Sequence, residues 1–352
     1  MSNNAYLILE NGMTFKGEYF GAQGDITGEI VFTTGMTGYL ETLTDQSYHG
    51  QIVLQTFPLI GNYGVIPSDF ESASVGARAY IVKCPCATPS NFRSENGLGA
   101  FLKERGIIAI CGIDTRALTK IIRENGVMNG KISASPPADD ALAEIKAYSV
   151  LNAVASVSSR NVERTGEGSR RVALMDFGAK RGIANALASR GCEVWTFPHN
   201  ATAQEILQKK PHGIMLSNGP GDPAEPANSG IIETIRALLL SGVPIFGICL
   251  GHQLLALANG YQTKKLKFGH RGANQPVKEI ATGRVYITSQ NHGYAVVAPN
   301  GSFVNVNDGT CEGMDYGNSF SVQFHPEACG GPLDTSFLFD RFIKKVDDYA
   351  AR

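Results

Sequence analysis

An apolar strand pattern runs directly into a helical pattern in the carboxyl-terminal half of the chain, and a cysteine stands between the two. Residues 243–248 form a short apolar run suited to a buried parallel strand, and the apolar spacing of residues 250–258 is that of a helix. Gly247 and Gly251 flank Cys249 at two residues on either side. Glycines at these places allow the backbone a sharp turn without a Cβ clash. The segment therefore predicts a strand, a tight turn that carries the cysteine, and a helix.

The position of Cys249 favours a nucleophile over a structural cysteine. The amino end of the following helix carries a partial positive charge that stabilises a thiolate, and the thiolate is the form that attacks a carbonyl carbon. A single buried cysteine is more often a small hydrophobic residue. The two glycines, the preceding strand and the following helix together favour the nucleophile.

Length and composition indicate a globular protein of two domains. The chain has 352 residues, whereas one domain usually takes about 100 to 200. Hydrophobic residues make up 43% and charged residues 18%, and the net charge of −1 indicates neither a nucleic acid nor a membrane surface as a partner. No segment approaches about 18 uncharged apolar residues, and the start of the chain lacks a basic segment followed by an apolar one. We therefore expect a cytoplasmic protein.

The cysteines indicate a reducing compartment. Seven of them are scattered over the chain, and an odd number at such spacing does not suit a disulfide framework. Cys84 and Cys86 are separated by a single residue and have no second pair nearby, whereas zinc sites usually space their cysteines by two or more residues. We expect no metal on this chain and a structural role for every cysteine except Cys249.

Residues 1–155 predict a β-rich domain. Short apolar runs at 6–9 and 13–15 flank an Asn-Gly pair, which is a strong hairpin signal. Asp114 is a natural cap and Gly126 a natural stop for a helix between them. The other elements predicted here are strands at 29–33, 51–57 and 79–83 and helices at 98–105 and 138–147.

A polar segment at 156–170 predicts a linker, because it has almost no apolar residue to bury. From residue 171 onward, strand and helix patterns alternate, which implies an α/β domain at 171–352 with a mostly parallel sheet flanked by helices. Ligands of such sheets bind at the carboxyl ends of the strands, where Cys249 is expected to lie. The predicted strands are at 172–176, 193–197, 213–217, 243–248, 284–287 and 294–297, and the predicted helices are at 180–190, 203–209, 230–240 and 337–346.

His325 and Glu327 are the best candidates for the base and its orienting carboxylate. Residues 320–327 alternate as in an extended strand, in which residues two apart face the same way. A carboxylate beside an imidazole orients the ring and stabilises the imidazolium, which completes a nucleophile, base and orienter. His252 and His292 remain alternative bases, although neither has a carboxylate two residues away.

Two polar segments supply further candidates. The loop at 217–223 follows a strand, and its glycines allow backbone N–H groups to approach an oxyanion, with the N–H of Leu250 as the natural second donor. A polar loop at 289–294 is suited to lining a substrate pocket. His270 precedes Arg271 and is expected to be solvated or to lie in an interface.

The motif Gly-Ile-Cys-Leu-Gly-His-Gln at 247–253, with His-Pro-Glu at 325–327, resembles the class I (triad) glutamine amidotransferases, and the resemblance extends over residues 171–350. The first half of the chain resembles the amino-terminal domain of the small subunits of carbamoyl-phosphate synthetases. The segments that carry this second resemblance are at 33–45, 58–64 and 112–119.

These resemblances imply hydrolysis of L-glutamine to glutamate and ammonia. The ammonia would pass to a large partner subunit that uses ATP and a divalent metal to make carbamoyl phosphate for arginine or pyrimidine synthesis, and no cofactor is implied for this chain. The family's nucleophile falls on Cys249, its base on His325 and its orienter on Glu327. Its contacts to glutamine fall on Ser47, Gly219, Gly221, Leu250, Gln253, Asn291, Gly293 and Tyr294.

The chain departs from the family pattern at 329–334, where Cys-Gly-Gly-Pro-Leu-Asp replaces the common Ser-Pro-Gly-Pro-His-Asp, and at the pair Cys84 and Cys86. Another cysteine hydrolase, such as a peptidase on a related fold, would share the cysteine turn but not the loop at 217–223 or the first domain. A non-catalytic scaffold subunit would lack the cysteine, histidine or glutamate. Sibling amidotransferases that feed GTP, CTP or tryptophan synthesis are the nearest alternatives, and copurification of a large subunit would separate them.

Overall fold

The computed structural model describes residues 3–136 and 141–352. The chain divides into two compact units, Met1–Val150 and Leu151–Arg352. None of the helices in the described ranges is both long and apolar enough to cross a membrane.

The first unit is built around a closed β-barrel. The barrel order is β1-β2-β8-β6-β4-β3-β9, in which β3, β4, β6 and β8 run parallel to one another and the remaining pairs are antiparallel. Two short strands, β5 and β7, pair outside it. The strands of this unit are β1 (Asn4–Leu9), β2 (Thr14–Tyr19), β3 (Ile26–Thr33), β4 (Gln51–Gln55), β5 (Leu59–Ile60), β6 (Ala79–Ile81), β7 (Cys84–Pro85), β8 (Ile108–Cys111) and β9 (Met128–Ser133). The helices are α1 (Tyr39–Thr44), α2 (Leu98–Glu104), α3 (Thr115–Asn125) and α4 (Ala141–Ala147), with 3-10 turns at Gln46–Tyr48 and Pro67–Asp69.

Local sequence signals account for several elements of this unit. The Asn-Gly pair joins β1 to β2 in an antiparallel hairpin. The side chain of Asp114 accepts a hydrogen bond from the Ala117 N–H and caps α3, which ends at Gly126 with a positive φ of 98°. Of the helix predicted at 138–147, residues 141–147 are helical, and 138–140 lie outside the described residues.

The second unit has helices on both faces of one large sheet. Its strands are β10 (Glu163–Thr165), β11 (Arg170–Asp176), β12 (Cys192–Pro198), β13 (Gly213–Leu216), β14 (Ile245–Ile248), β15 (Gln262–Glu279), β16 (Val285–Val297), β17 (Phe303–Asn305), β18 (Cys311–Asp315) and β19 (Phe320–Val322). Its helices are α5 (Ala153–Val157), α6 (Arg181–Ala188), α7 (Ala203–Gln208), α8 (Ser229–Leu240), α9 (Leu250–Ala258) and α10 (Phe337–Ala350), with a 3-10 turn at Pro226–Asn228. Apolar residues of α6 and α10 pack on one face of the sheet, and those of α7, α8 and α9 pack on the other.

The prediction of a mostly parallel sheet is wrong, because the sheet is mixed. Its order is β10-β12-β11-β13-β14-β19-β18-β16-β15-β17, and only the pairs within β12-β11-β13-β14-β19 are parallel. The strands from β18 onward pair antiparallel, as does β10 with β12. Parallel strands need helical crossovers, and the chain between α9 and β19 has none, so it extends the sheet through antiparallel pairs.

Two further expectations differ from the structure in detail, and one strand was missed. The predicted linker at 156–170 contains β10, which pairs with β12, so part of this polar segment joins the sheet. The strands predicted at 284–287 and 294–297 are one continuous strand, β16, which pairs along its length with β15. Strand β15 was not predicted, because its residues are largely polar and lack a simple period-2 alternation. The domain boundaries themselves remain a prediction.

The parallel part of the sheet brings the predicted reactive segments to one edge. Strand β14 is buried along its length, and the Phe246 ring stacks on Phe320 of β19 with centroids 4.3 Å apart. Each fully buried side chain of this size contributes about 1.5–3 kcal/mol relative to an exposed one. Because β11, β13, β14 and β19 are parallel neighbours, their carboxyl ends lie at one edge of the sheet, which carries the candidate active site.

Candidate active site

Cys249 lies on a strained turn between β14 and α9. Its backbone has φ 54° and ψ −103°, a positive φ that non-glycine residues seldom adopt, and its side chain is 2% exposed. The Cys249 N–H donates to the Val322 carbonyl at 2.9 Å, and the Gly251 N–H donates to the Ser217 carbonyl at 2.9 Å. These bonds tie the turn to the neighbouring strands. The predicted strand, turn and helix are all present.

The two flanking glycines are required by close backbone packing. A Cβ on Gly247 would lie 2.7 Å from the Gly251 carbonyl oxygen, and a Cβ on Gly251 would overlap the carbonyl of Leu216. Backbone atoms cannot move aside as a flexible side chain can. The turn can therefore bring the cysteine to the sheet edge only if both positions lack a side chain.

We expect Gly251→Ala to lower the free energy of unfolding by about 2 kcal/mol and to reduce glutamine hydrolysis, because the added methyl group overpacks the turn against β13. Chemical denaturation of the full chain and a glutaminase assay measure the two effects. Gly230→Ala is the matched control, since a Cβ at this position of α8 meets no atom within 4 Å. The control should keep activity and change stability by less than about 1 kcal/mol. Equal stability of the two variants would contradict the packing argument.

His325 and Glu327 form a buried imidazole–carboxylate pair. His325 Nδ1 lies 2.6 Å from Glu327 Oε1, and the two side chains are 1% and 0% exposed. The predicted extended strand over 320–327 is wrong, because β19 ends at Val322. A turn after the strand, held by a 2.9 Å hydrogen bond from the His325 N–H to the Ser289 carbonyl, brings the two side chains together instead.

His325 and Glu327 each shift the pKa of the other in the direction that favours its charged form. Burial and the charge of Lys180 lower the pKa of His325, but the Glu327 carboxylate and Cys249 raise it, and the net pKa lies well above that of a free histidine. Burial raises the pKa of Glu327, but the positive charges of His325 and Lys180 lower it by more than burial raises it. The net pKa is lowered, so the carboxylate stays ionised. Among the described residues, His325 Nε2 has no partner at hydrogen-bond distance. An imidazolium beside Cys249 stabilises a thiolate.

Lys180 is a third charged group of the site and was not predicted from the sequence. Its Nζ lies 3.3 Å from His325 Nδ1 and 3.5 Å from Glu327 Oε1, and its side chain is 11% exposed. Lys180 precedes α6 just after the carboxyl end of β11. A lysine at the carboxyl end of a predicted parallel strand is the signal that would have identified it.

The predicted oxyanion donors lie beside the cysteine turn. Leu250 is the first residue of α9, so its N–H has no partner within the helix. A Cβ on Gly219 would lie 2.8 Å from a methyl carbon of Leu250, which leaves room only for glycine, and Gly221 has a positive φ of 91°. The loop at 217–223 thus runs close to the start of α9.

The other predicted glutamine contacts of the second unit lie on α9 and β16. Cys249 Sγ lies 3.5 Å from the Asn291 carbonyl oxygen, and Gln253 Nε2 donates to the Tyr294 carbonyl at 2.8 Å. Asn291, Gly293 and Tyr294 belong to strand β16, so the predicted polar loop at 289–294 is wrong. The polar residues of this segment are mostly buried in a strand and form hydrogen bonds there. Polarity alone does not distinguish such a strand from a loop.

Ser47 belongs to the first compact unit. It lies in the 3-10 turn Gln46–Tyr48, where its N–H donates to Asp45 Oδ1 at 2.9 Å, and it is 8% exposed. Its contact with glutamine remains a prediction.

The alternative bases are engaged elsewhere. His252 is fully buried with Nδ1 2.8 Å from Ser321 Oγ, and burial lowers its pKa to about 3. His292 contacts the Tyr294 carbonyl through Nδ1 at 2.7 Å, and burial also lowers its pKa. His325 is therefore the histidine whose surroundings suit a base. The prediction that His270 is solvated or in an interface is wrong, because it is buried within this chain.

One group of side chains in the described ranges has atoms near enough to one another to hold a cation: His270, His292 and Glu312. Each of these side chains already contacts protein partners. His270 Nε2 lies 2.9 Å from Asp308 Oδ2, and Glu312 Oε2 accepts from Gln290 Nε2 at 3.1 Å. We interpret the group as a buried hydrogen-bonded network, and the expectation that no metal binds this chain remains a prediction.

A thiol on a strained strand-to-helix turn and a buried imidazole–carboxylate pair thus lie at the same edge of the sheet, an arrangement that suits a cysteine amidase. Residues 173–345 match the family model described as glutamine amidotransferase class-I. This match defines the class of the second unit and agrees with the fold around Cys249.

Residues 7–132 match the family model described as carbamoyl-phosphate synthase small chain, CPSase domain. The carbamoyl phosphate synthase small chain of Fusobacterium nucleatum is 51% identical, and the match covers 98% of this chain and 99% of the relative. That of Clostridium perfringens is 49% identical, covering 97% and 99% of the two chains. The pyrimidine-specific small chain of Bacillus subtilis is 48% identical, covering 97% and 95%. The chain belongs to the carbamoyl-phosphate synthase small-chain family, whose members are the glutamine-hydrolysing subunits of the synthase.

The match of the first domain also decides between the alternatives raised by the sequence. A peptidase, or an amidotransferase that feeds GTP, CTP or tryptophan synthesis, does not account for residues 7–132. A non-catalytic scaffold subunit does not account for the presence of the cysteine, the histidine and the glutamate at one sheet edge.

Proposed function

We propose that Cys249, His325 and Glu327 hydrolyse L-glutamine through a γ-glutamyl thioester. The buried His325–Glu327 pair, 2.6 Å apart beside the cysteine turn, is the observation that carries the proposal. The Cys249 thiolate forms a bond to the carboxamide carbon, and the carbonyl electrons move onto its oxygen. The backbone N–H groups of Gly219 and Leu250 stabilise this oxyanion.

The His325 imidazolium then donates its Nε2 proton to the amine nitrogen as the carbon–nitrogen bond breaks, and ammonia leaves. Neutral His325 next takes a proton from water, and the oxygen of that water attacks the thioester carbon. The carbon–sulfur bond breaks, glutamate leaves, and the thiolate and imidazolium are restored. Throughout the cycle Glu327 keeps the ring oriented through Nδ1 and stabilises its charge.

The remaining predicted contacts fit a glutamine subsite on the same edge. Gly221 lies in the loop at 217–223, Gln253 on α9, and Asn291, Gly293 and Tyr294 on β16, where the Asn291 carbonyl lies 3.5 Å from Cys249 Sγ. That Ser47 also contacts glutamine is a separate proposal, which rests on the family resemblance alone. Lys180 adds a positive charge next to Glu327, and we propose that it holds this carboxylate in place beside the imidazole.

The ammonia is proposed to pass to a large synthase chain, which binds ATP and a divalent metal and makes carbamoyl phosphate for arginine or pyrimidine synthesis. The names of the relatives, each a small chain of carbamoyl phosphate synthase, support such a partner. The sequence carries no Gly-x-x-x-x-Gly-Lys-Ser/Thr segment for the phosphates of ATP.

We expect the isolated chain to hydrolyse glutamine slowly and to make no carbamoyl phosphate. Addition of the large chain with bicarbonate and ATP should start carbamoyl phosphate synthesis and accelerate glutamine hydrolysis, because the ATP-dependent steps belong to the partner. Copurification from the native cell, followed by product assays with and without the partner, measures this. ATP hydrolysis or carbamoyl phosphate synthesis by this chain alone would contradict the proposal.

A further inference from the structure

A chain of hydrogen bonds lies behind the proposed glutamine subsite. Gln253 Nε2 donates to the Tyr294 carbonyl at 2.8 Å and to Gln323 Oε1 at 2.9 Å. The same Tyr294 carbonyl lies 2.7 Å from His292 Nδ1, and His292 Nε2 lies 3.0 Å from Gln290 Oε1. The Tyr294 carbonyl oxygen and Gln290 Oε1 are both acceptors, so a neutral His292 ring, which has one N–H, donates to one of them and is packed against the other.

Glu312 closes this chain into a ring. Its carboxylate Oε2 accepts from Gln290 Nε2 at 3.1 Å, and its backbone carbonyl accepts from the Gln323 N–H at 2.9 Å. We call this the buried ring, and its members are Gln253, Gln290, His292, Tyr294, Glu312 and Gln323. The ring joins a residue of the helix that follows the nucleophile to a residue that stands two positions before the base.

The Glu312 side chain is itself fixed in space. It is 0% exposed, and its second oxygen, Oε1, lies 3.3 Å from Asn305 Nδ2, 3.3 Å from Thr310 Oγ1 and 3.4 Å from His270 Nδ1. These groups come from strands β17 and β15 and from the segment before β18. A buried carboxylate held by several donors cannot shift without leaving them unpaired, which costs about 1–3 kcal/mol for each. Glu312 is therefore a rigid anchor for the ring.

We propose that Glu312 is a positioning residue for the glutamine subsite. Its carboxylate fixes Gln290, which fixes the His292 ring, and His292 holds the Tyr294 carbonyl where Gln253 binds it. The inference rests on the proposed function, because it takes Gln253 and Tyr294 as glutamine contacts. Glu312 touches neither the substrate nor the reacting atoms, so it acts on the binding of glutamine more than on the chemical step.

The test compares two substitutions at this position in the complex with the large chain. Glu312→Met removes the acceptors and should raise the KM for glutamine by about tenfold or more while kcat falls less. Glu312→Gln keeps one acceptor oxygen, and the Gln290 amide can turn over to meet the new NH₂ group, so KM should stay within about threefold of the parent. Synthesis from ammonium chloride should equal that of the parent in both variants.

Gln290→Met breaks the same ring at the next link and provides a double-mutant cycle. If both residues act through one ring, Gln290→Met alone should raise KM by about tenfold, and the double variant should stay near tenfold rather than reach about a hundredfold. Asp308→Asn is the matched control, because Asp308 contacts His270 outside the ring and is partly exposed. Its KM should be unchanged.

An unchanged KM in folded Glu312→Met, a multiplicative double variant, or an equal rise in Asp308→Asn would overturn the inference. If Glu312→Met does not fold, an unchanged KM in Gln290→Met overturns it. A parent complex without saturable use of glutamine contradicts the proposed function itself. If the parent complex saturates with glutamine and the Glu312 and Gln290 variants have the same KM as the parent, only the role of Glu312 is contradicted.

Discussion

Cys249→Ser is expected to abolish glutamine-dependent carbamoyl phosphate synthesis by the complex with the large chain, with a loss of at least about a thousandfold. Serine has nearly the size of cysteine and fits the buried turn, but its hydroxyl is hardly ionised at neutral pH, so it cannot form the acyl intermediate at a useful rate. Synthesis from added ammonium chloride should remain largely intact, because the ATP-dependent steps need only ammonia. Product formation with each nitrogen source measures both expectations.

Glutamine binding serves as the control for this variant. The serine side chain leaves the backbone N–H groups and the polar contacts of the subsite unchanged, so equilibrium binding of glutamine should survive. Retained glutamine-dependent synthesis would show that Cys249 is a structural cysteine. Loss of synthesis from both nitrogen sources would show instead that the strained turn, or the contact with the large chain, depends on the thiol.

His325→Asn should slow glutamine hydrolysis by about a thousandfold, and Glu327→Gln by a smaller factor of roughly ten to a hundred. The first substitution removes the group that carries the proton. The second keeps a hydrogen-bond acceptor 2.6 Å from Nδ1 but removes its charge. Steady-state kinetics of the two variants measure the order. A parent-like rate for His325→Asn would move the base to His252 or His292.

Glu327→Gln should also change the pH dependence of kcat/KM. The Glu327 carboxylate raises the pKa of His325, against the effects of burial and of Lys180. Since His325 must be protonated to donate to the leaving amine, the rate falls as pH rises through this pKa. Without the carboxylate the pKa drops, and the alkaline limb of the profile should move to lower pH by about one unit or more. An unmoved alkaline limb would mean that another group controls it.

The candidate site was predictable to the extent that its signals are local. The turn at Cys249 was visible because its strand, glycines and helix occupy about fifteen consecutive residues, and backbone geometry requires glycine at both flanking positions. The cap at Asp114 and the hairpin between β1 and β2 were visible for the same reason. The residue pattern favoured His325 and Glu327 as base and orienter but left His252 and His292 open as bases, and the resemblance to a known family then favoured His325.

The long-range contacts were not visible in the same way. Lys180 reaches the His325–Glu327 pair across 145 residues of chain, and Gln253 reaches Gln323 across 70. Contacts of this kind depend on strand order and register, which no local pattern determines. The mixed sheet shows the same limit, because alternating strands and helices indicated the parallel centre but not the antiparallel pairing of the strands from β15 to β18.

By itself the sequence determined the cysteine turn, the cap of α3, the hairpin between β1 and β2 and the class of chemistry, since these depend on residue type and on spacing over a few residues. Only the tertiary structure decided that a turn after β19 brings His325 to Glu327, that Lys180 joins them, and that a polar segment forms the buried strand β16. The physical reason is that burial and hydrogen bonding between distant strands select one arrangement among many that the same local patterns allow.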